Sequence, residues 1–128
     1  MFKGLGRGQG TKAVGDEAEH RALAHLQQQG LRLVCRNYRL AGGPHRHGAE
    51  IDLICSDTDG TLVFVEVRVR RGSGHGGAAA SVTLAKQRRI VRAAEHYLLR
   101  LAAPPPCRFD VVAIDGDQLQ WLRGAFSA

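Results

Sequence analysis

The sequence predicts an α/β fold in which helices flank a mixed β-sheet, in the element order αβββαββ. Three observations predict it. Residues 48–55 and 61–71 are rich in β-branched and apolar side chains, and Ser56, Asp57, Asp59 and Gly60 between them supply turn chemistry, so this stretch reads as a hairpin. Residues 15–29 and 82–101 carry apolar side chains at helical spacing. Residues 108–114 and 118–122 form a second pair of strand-like runs around Asp115, Gly116 and Asp117.

Taken in order, residues 1–13 are Gly-rich and basic without periodicity, which predicts a flexible basic tail ahead of a single domain over 14–128. The first helix stops at Gly30. Ala18, Ala22, Leu23 and Leu26 form its apolar stripe, and Glu19 projects into the middle of that stripe. A carboxylate there is costly unless it is paired or ligating. Residues 31–40 alternate as a strand, with Leu31, Leu33, Cys35 and Asn37 on one face, and residues 41–48 turn into the central hairpin. His45 and His47 form an H-x-H, but no further ligands stand at zinc spacing. Residues 72–80 make a Gly-rich loop that lacks the Gly-Lys-Ser/Thr of a phosphate-cradling loop. Ser81 is the expected N-cap of the second helix. Ile90, Ala94, Tyr97, Leu98 and Leu101 form its core stripe, while Arg89, Arg92, His96 and Arg100 form a basic ridge. Lys86 lies at the seam, where its stem can rest on apolar surface. Residues 102–106 break the helix.

The central hairpin carries the chemistry. Side chains alternate faces along a strand. Ala49, Ile51, Leu53 and Cys55, then Val63, Val65, Val67 and Val69, are expected on one apolar face; Glu50, Asp52, Glu66, Arg68 and Arg70 fall on the other. Two carboxylates about 5 Å apart repel by roughly 3 kcal/mol at an effective dielectric near 20. A fold that clusters them needs a cation between them, and a hard divalent ion with oxygen ligands fits best.

Charge and composition point the same way. The 128-residue chain has a net charge of +6, which favours a polyanionic partner. Residues 48–66 hold five acidic residues and no basic one, whereas residues 67–108 hold nine basic and one acidic. Acids to hold an ion, between basic blocks to hold phosphate, suit a metal-dependent nucleic-acid enzyme. Cys35, Cys55 and Cys107 lie in strand-like contexts without a C-x-x-C, which predicts buried reduced thiols in a cytoplasmic protein. No apolar run reaches the roughly 20 residues of a membrane span, and no signal-peptide apolar region opens the chain.

Over residues 14–126 these features resemble the YraN-like family (UPF0102), through Gly15, Glu19, Ala22 and Leu26, then Arg36-Asn37-Tyr38, Gly48 with Glu50 to Ile54, Phe64 to Val67, Lys86, Tyr97-Leu98 and Arg108 to Val112. The resemblance implies a restriction-endonuclease-like fold, distantly similar to archaeal Holliday junction resolvases. It also implies a nuclease signature of an Asp, then a Glu, then one residue and a Lys. Here those positions hold Asp52, Glu66 and Arg68. Ala49 interrupts the usual Gly-Glu-Ile-Asp run. Arg68 stands where the family has Lys, and a guanidinium can offset charge but cannot serve as a base.

The resulting expectation is a Mg²⁺- or Mn²⁺-dependent endonuclease, cutting DNA before RNA, with branched or damaged DNA among the candidates. Glu19, Glu50, Asp52 and Glu66 are the expected metal ligands, and Asp52, Glu66, Arg68 and Lys86 the catalytic set. Arg70, Arg71, Lys86, Arg89 and Arg92 are expected to grip the nucleic-acid backbone without reading sequence. A homodimer is left open. Two rivals are a non-catalytic nucleic-acid-binding module on the same fold, which Arg68 favours, and a basic adaptor whose partner is a protein.

Overall fold

Five consecutive residues, Leu62 to Glu66, are buried in the computed structural model, which describes residues 7–70 and 82–128, with side chains from Lys12 onward. A strand buried at every position must be covered on both faces. That is the case here. The elements are α1 (Arg7–Gln28), β1 (Arg32–Leu40), β2 (Ala49–Ser56), β3 (Leu62–Val69), α2 (Leu84–Leu98), β4 (Cys107–Asp115) and β5 (Gln118–Phe126). The strands form one mixed sheet in the order β1-β2-β3-β4-β5. Only β3 and β4, which α2 connects, run parallel; the other neighbours are antiparallel. The α/β class and the order αβββαββ are as the sequence predicts.

Because alternate side chains point to opposite faces, β3 feeds two cores. Val63 and Val65 join Leu53 and Cys55 beneath Ala18, Ala22 and Leu26 of α1. Leu62 and Phe64 join Ile51 and Ile54 beneath Ile90, Ala93, Ala94 and Tyr97 of α2. Fully burying Leu26 or Phe64 contributes about 1.5–3 kcal/mol each. The expectation of one apolar wall and one polar face is therefore corrected: the polar face is confined to one end of the sheet.

The expected strand faces are corrected too. Ala49 and Ile51 lie on the α2 side while Leu53 and Cys55 lie on the α1 side. Leu33 packs toward α1 and Cys35 toward α2, across a register shift between them. Period-2 alternation survives only while the backbone stays regular, and a bulge resets it.

The boundaries differ in three places. α1 begins at Arg7, where a tail was expected, and residues 1–6 lie outside the described residues. Ser81 also lies outside them, and the N-cap is Thr83, whose hydroxyl accepts from the Lys86 N–H at 3.2 Å. β5 runs on to Phe126 past Gly124, which has φ 59°. The hairpin turn behaves as its residues predict: Asp57 and Asp59 carboxylates accept from the N–H groups of Thr58 and Thr61, and Gly60 takes φ 89°. All three cysteines are free, but only Cys55 is buried; Cys35 is half-buried and Cys107 exposed. Among the described residues, no helix is long and apolar enough to cross a membrane.

Asp110 anchors β4 to its surroundings. It is completely buried and accepts from Arg108 Nε (3.0 and 3.2 Å), Trp121 Nε1 (2.9 Å) and the Gly124 N–H (2.9 Å). Arg108 in turn donates to Asp57 at 2.9 Å, which ties the β2–β3 turn to the base of β4. This network lies apart from the acids below.

Candidate metal and nucleic-acid site

The site arises from a break in the sheet. β2 pairs with β3 from Ser56 and Leu62 up to Leu53 and Val65, and no farther. Beyond that point the next acceptor for Val67 N–H is a side chain, the Asp52 carboxylate, at 2.8 Å. On the other edge of β2, the β1 pairing passes from Arg36–Leu53 to Tyr38–Ile51 and skips Asn37 and Asp52. Asn37 there has φ 51°, the left-handed region that Asn tolerates better than most residues. The two irregularities release Asp52 from the ladder and direct its carboxylate across to β3.

Glu66, one residue before Val67, is 4% exposed. Its Oε2 lies 3.4 Å from Arg68 Nη1 and 3.7 Å from Lys86 Nζ of α2. Burial raises the Glu66 pKa, and these two cations pull it partly back. Burial also raises Asp52, and the negative charges of Glu66, Glu19 and Glu50 add to it, so that its pKa is pushed up to about 8. Glu19 is raised by burial, then by Glu50 and Asp16; it is eased by Arg36 and by a hydrogen bond from the Asn37 side chain. Glu50 is half-exposed and pairs with Arg39 at 3.7 Å.

Glu19, Glu50, Asp52 and Glu66 therefore share one electrostatic field at the split end of the sheet, with Glu19 arriving on α1 and Lys86 on α2. They are not drawn into one ligand sphere. Among the described residues, no three His, Cys, Asp or Glu side chains are grouped closely enough to hold a single metal ion. The donor chemistry of Asp52 and Glu66 does fit a hard cation: both offer carboxyl oxygen, the neighbouring acids repel the charge on Asp52 that a cation would neutralise, and Glu66 already attracts two cationic side chains.

The basic residues divide. Lys86 and Arg89 border a groove beside Glu50. Arg70 donates its backbone N–H to Ile114 O, and Arg71 lies outside the described residues. Arg92 Nη2 donates to His47 O at 2.5 Å. His96 is hydrogen-bonded to Tyr38 Oη, and the Arg100 guanidinium lies 5.3 and 4.9 Å from the Tyr38 and Tyr97 ring centres. The ridge expected to face solvent is thus partly consumed in docking α2 against β1 and the 41–48 connection.

Asn37 is the site residue that sequence reasoning left without a role. The one available signal was an Asn in a strand of otherwise apolar and basic residues, because Asn there favours a left-handed kink over a ladder.

A profile of the uncharacterised protein family UPF0102 matches residues 18–114, a span that contains Glu19, Glu50, Asp52 and Glu66. A UPF0102 protein of Methylibium petroleiphilum is 67% identical over 92% of this chain and 97% of its own length. One from an Acidovorax species is 65% identical over 92% of this chain and 87% of its own, and one from Paracidovorax citrulli is 61% identical over 98% and 90%. With that profile match over most of its length and relatives this near, the chain belongs to the UPF0102 family.

Proposed function

We propose that this chain is a metal-dependent endonuclease that hydrolyses phosphodiesters of nucleic acid, DNA in the first instance, with branched or damaged duplexes as candidate substrates, in the cytoplasm. One observation carries the reading. The sheet gives up ladder pairing to set Asp52 beside buried Glu66, and holds Asp52 at a pKa of about 8 by burial and neighbouring acids. Groups that a fold keeps strongly perturbed by burial and like charge mark functional sites more often than structural ones.

Asp52 and Glu66 would hold Mg²⁺ or Mn²⁺, with Glu19 and Glu50 adding negative charge to the site. Bound there, the ion supplies an acidified water and positive charge at the scissile phosphate. The chain's own part is positional and electrostatic. The Val67 N–H fixes one Asp52 oxygen. Arg68 and Lys86 hold Glu66 from two sides, and both lie at the mouth of the site, about one-third exposed. Either cation can move from Glu66 to a phosphate oxygen once the carboxylate is otherwise neutralised. Lys86 carries the ammonium that the family's signature Lys would supply, whereas the Arg68 guanidinium cannot serve as a base, so Lys86 is the better candidate for that role.

The non-catalytic module remains as a second reading because Arg68 occupies the signature position. A cleavage assay separates the two. Linear, flapped and four-way DNA are incubated with Mg²⁺, Mn²⁺ or EDTA, using the wild type and Asp52→Asn. Metal-dependent cutting that Asp52→Asn abolishes supports the nuclease. Binding without cutting under every condition supports the module.

A further inference from the structure

We propose that the groove between the 41–48 connection and the start of α2 seats a nucleic-acid sugar-phosphate backbone, held by Arg39, His47, Lys86 and Arg89. This inference rests on the nucleic-acid reading above and names where on the surface the strand lies. The groove encloses about 680 Å³. Among the described residues, its charged and histidine lining is those four side chains and one acid, Glu50.

The groove is continuous with the carboxylate site. Glu50 lines it, pairs with Arg39, and adds to the negative field on Asp52. Lys86 lines it and reaches Glu66. A phosphate chain lying along the groove therefore meets cations first and the Asp52–Glu66 pair at its end.

The groove is also a built wall. Arg92 clamps the connection to α2 through His47 O. Gly42 and Arg46 close the connection on itself: a Cβ at Gly42 would stand 2.5 Å from Arg46 O and 2.7 Å from Gly48 N, so only glycine fits. His47 is presented from that frame and Arg39 from the end of β1, lining the groove with Lys86 and Arg89 of α2. Among the described residues, no Phe, Tyr or Trp lines the groove, so bases find no stacking platform there. What it can hold is the charged backbone, independent of sequence. Arg39 and His47 join Lys86 and Arg89 as candidate phosphate contacts.

The test uses the full chain in EDTA, so that cleavage cannot intervene, with a fluorescein-labelled 12-nucleotide DNA and an RNA of the same sequence. Anisotropy is read from 50 to 300 mM salt for the wild type, Arg39→Ala, Arg89→Ala and, as a control on β5, Arg123→Ala. Each groove substitution should weaken binding several-fold and lower the slope of log affinity against log salt by about 0.7 for each phosphate no longer neutralised. Arg123→Ala should match the wild type. The Arg39 side chain is 74% exposed, so its removal leaves the fold intact. In parallel, amide shifts on adding the oligonucleotide should map to residues 39–50 and 84–90. Unchanged affinity and slope in both groove variants, or shifts elsewhere, overturn the groove while leaving nucleic-acid binding standing. Stronger shifts in the groove with inorganic pyrophosphate than with either oligonucleotide also overturn it, since the groove would then be a site for small phosphates. A wild type that binds neither nucleic acid overturns the groove and the functional reading together. Binding in the groove without cleavage in Mg²⁺ or Mn²⁺ supports the groove and removes only the nuclease.

Discussion

Replacing Asp52 with Asn should make the metal-free protein more stable, and only above acid pH. The Asp52 carboxyl sits at about 8 in the fold against 3.8 in an unperturbed chain. The folded state therefore holds more protons than the unfolded one between those values, and stability falls as pH rises through that window. At 1.4 kcal/mol per pH unit, the fold gives up about 4 kcal/mol by pH 7. Below pH 3.8 both states are protonated and the cost is gone. Asn is isosteric, removes the charge from its neighbours Glu66, Glu19 and Glu50, and keeps an acceptor for Val67 N–H. For a chain of this size the gain should raise the melting temperature on the order of 10 °C at pH 7.5. Thermal melts of the wild type and variant in EDTA, at pH 3.5, 5.5 and 7.5, measure it. The difference should be near zero at the lowest pH and grow steadily. A variant that melts at or below the wild type at pH 7.5, or that gains equally at pH 3.5, refutes the reasoning. Such a gain on removing a charged group is what a site that trades stability for function shows.

Asn37→Gly keeps the left-handed backbone and deletes only the amide held to Glu19, so it should shift stability by less than about 1 kcal/mol yet weaken Mn²⁺ binding about tenfold; Asn37→Ala should add about 1–2 kcal/mol of backbone strain, read by chemical denaturation. Asp110→Ala leaves Arg108 without its buried partner and orphans Trp121 Nε1 and the Gly124 N–H, and should cost about 3–5 kcal/mol by the same denaturation assay without touching the acidic site. In single-turnover cleavage at saturating protein, Lys86→Ala should reduce the rate at least tenfold, a loss separate from the several-fold drop in affinity shared with the other groove substitutions, and Arg68→Lys should leave the rate equal or raise it.

The fold was legible because its signals are local. Asp57, Asp59 and Gly60 specify their turn, Gly116 specifies the second one, and the helical stripes of Ala18, Ala22 and Leu26 and of Ile90, Ala94 and Tyr97 all reach the core. The two-sided burial was also written in the sequence, in the unbroken apolar runs Leu62 to Val65 and Val111 to Ile114, which alternation alone cannot produce. Strand faces were misjudged because a bulge beside Cys35, the kink at Asn37 and the release of Asp52 are backbone events, and each resets the period that pattern reading assumes constant. At the candidate site, the co-location of Asp52, Glu66 and Glu19 in one field follows from strand register and helix phase, both readable. The fate of the arginines does not. Arg92 is spent on a backbone carbonyl 45 residues away, and Arg100 on two tyrosine rings, interactions that exist only once α2 is docked. The split ladder that sets Asp52 toward Glu66 is announced by Asn37 alone.

The most direct test of the account is whether the Asp52–Glu66 pair takes up a divalent cation. Free Mn²⁺ is counted by electron paramagnetic resonance during titration of the wild type, Asp52→Asn, Glu66→Gln and the turn variant Asp57→Asn at pH 7.5. The account predicts one saturable Mn²⁺ per chain in the wild type and in Asp57→Asn, displaced by Mg²⁺, with affinity reduced at least tenfold in Asp52→Asn and Glu66→Gln. No saturable site, or a site whose affinity is the same in all four proteins, would contradict it.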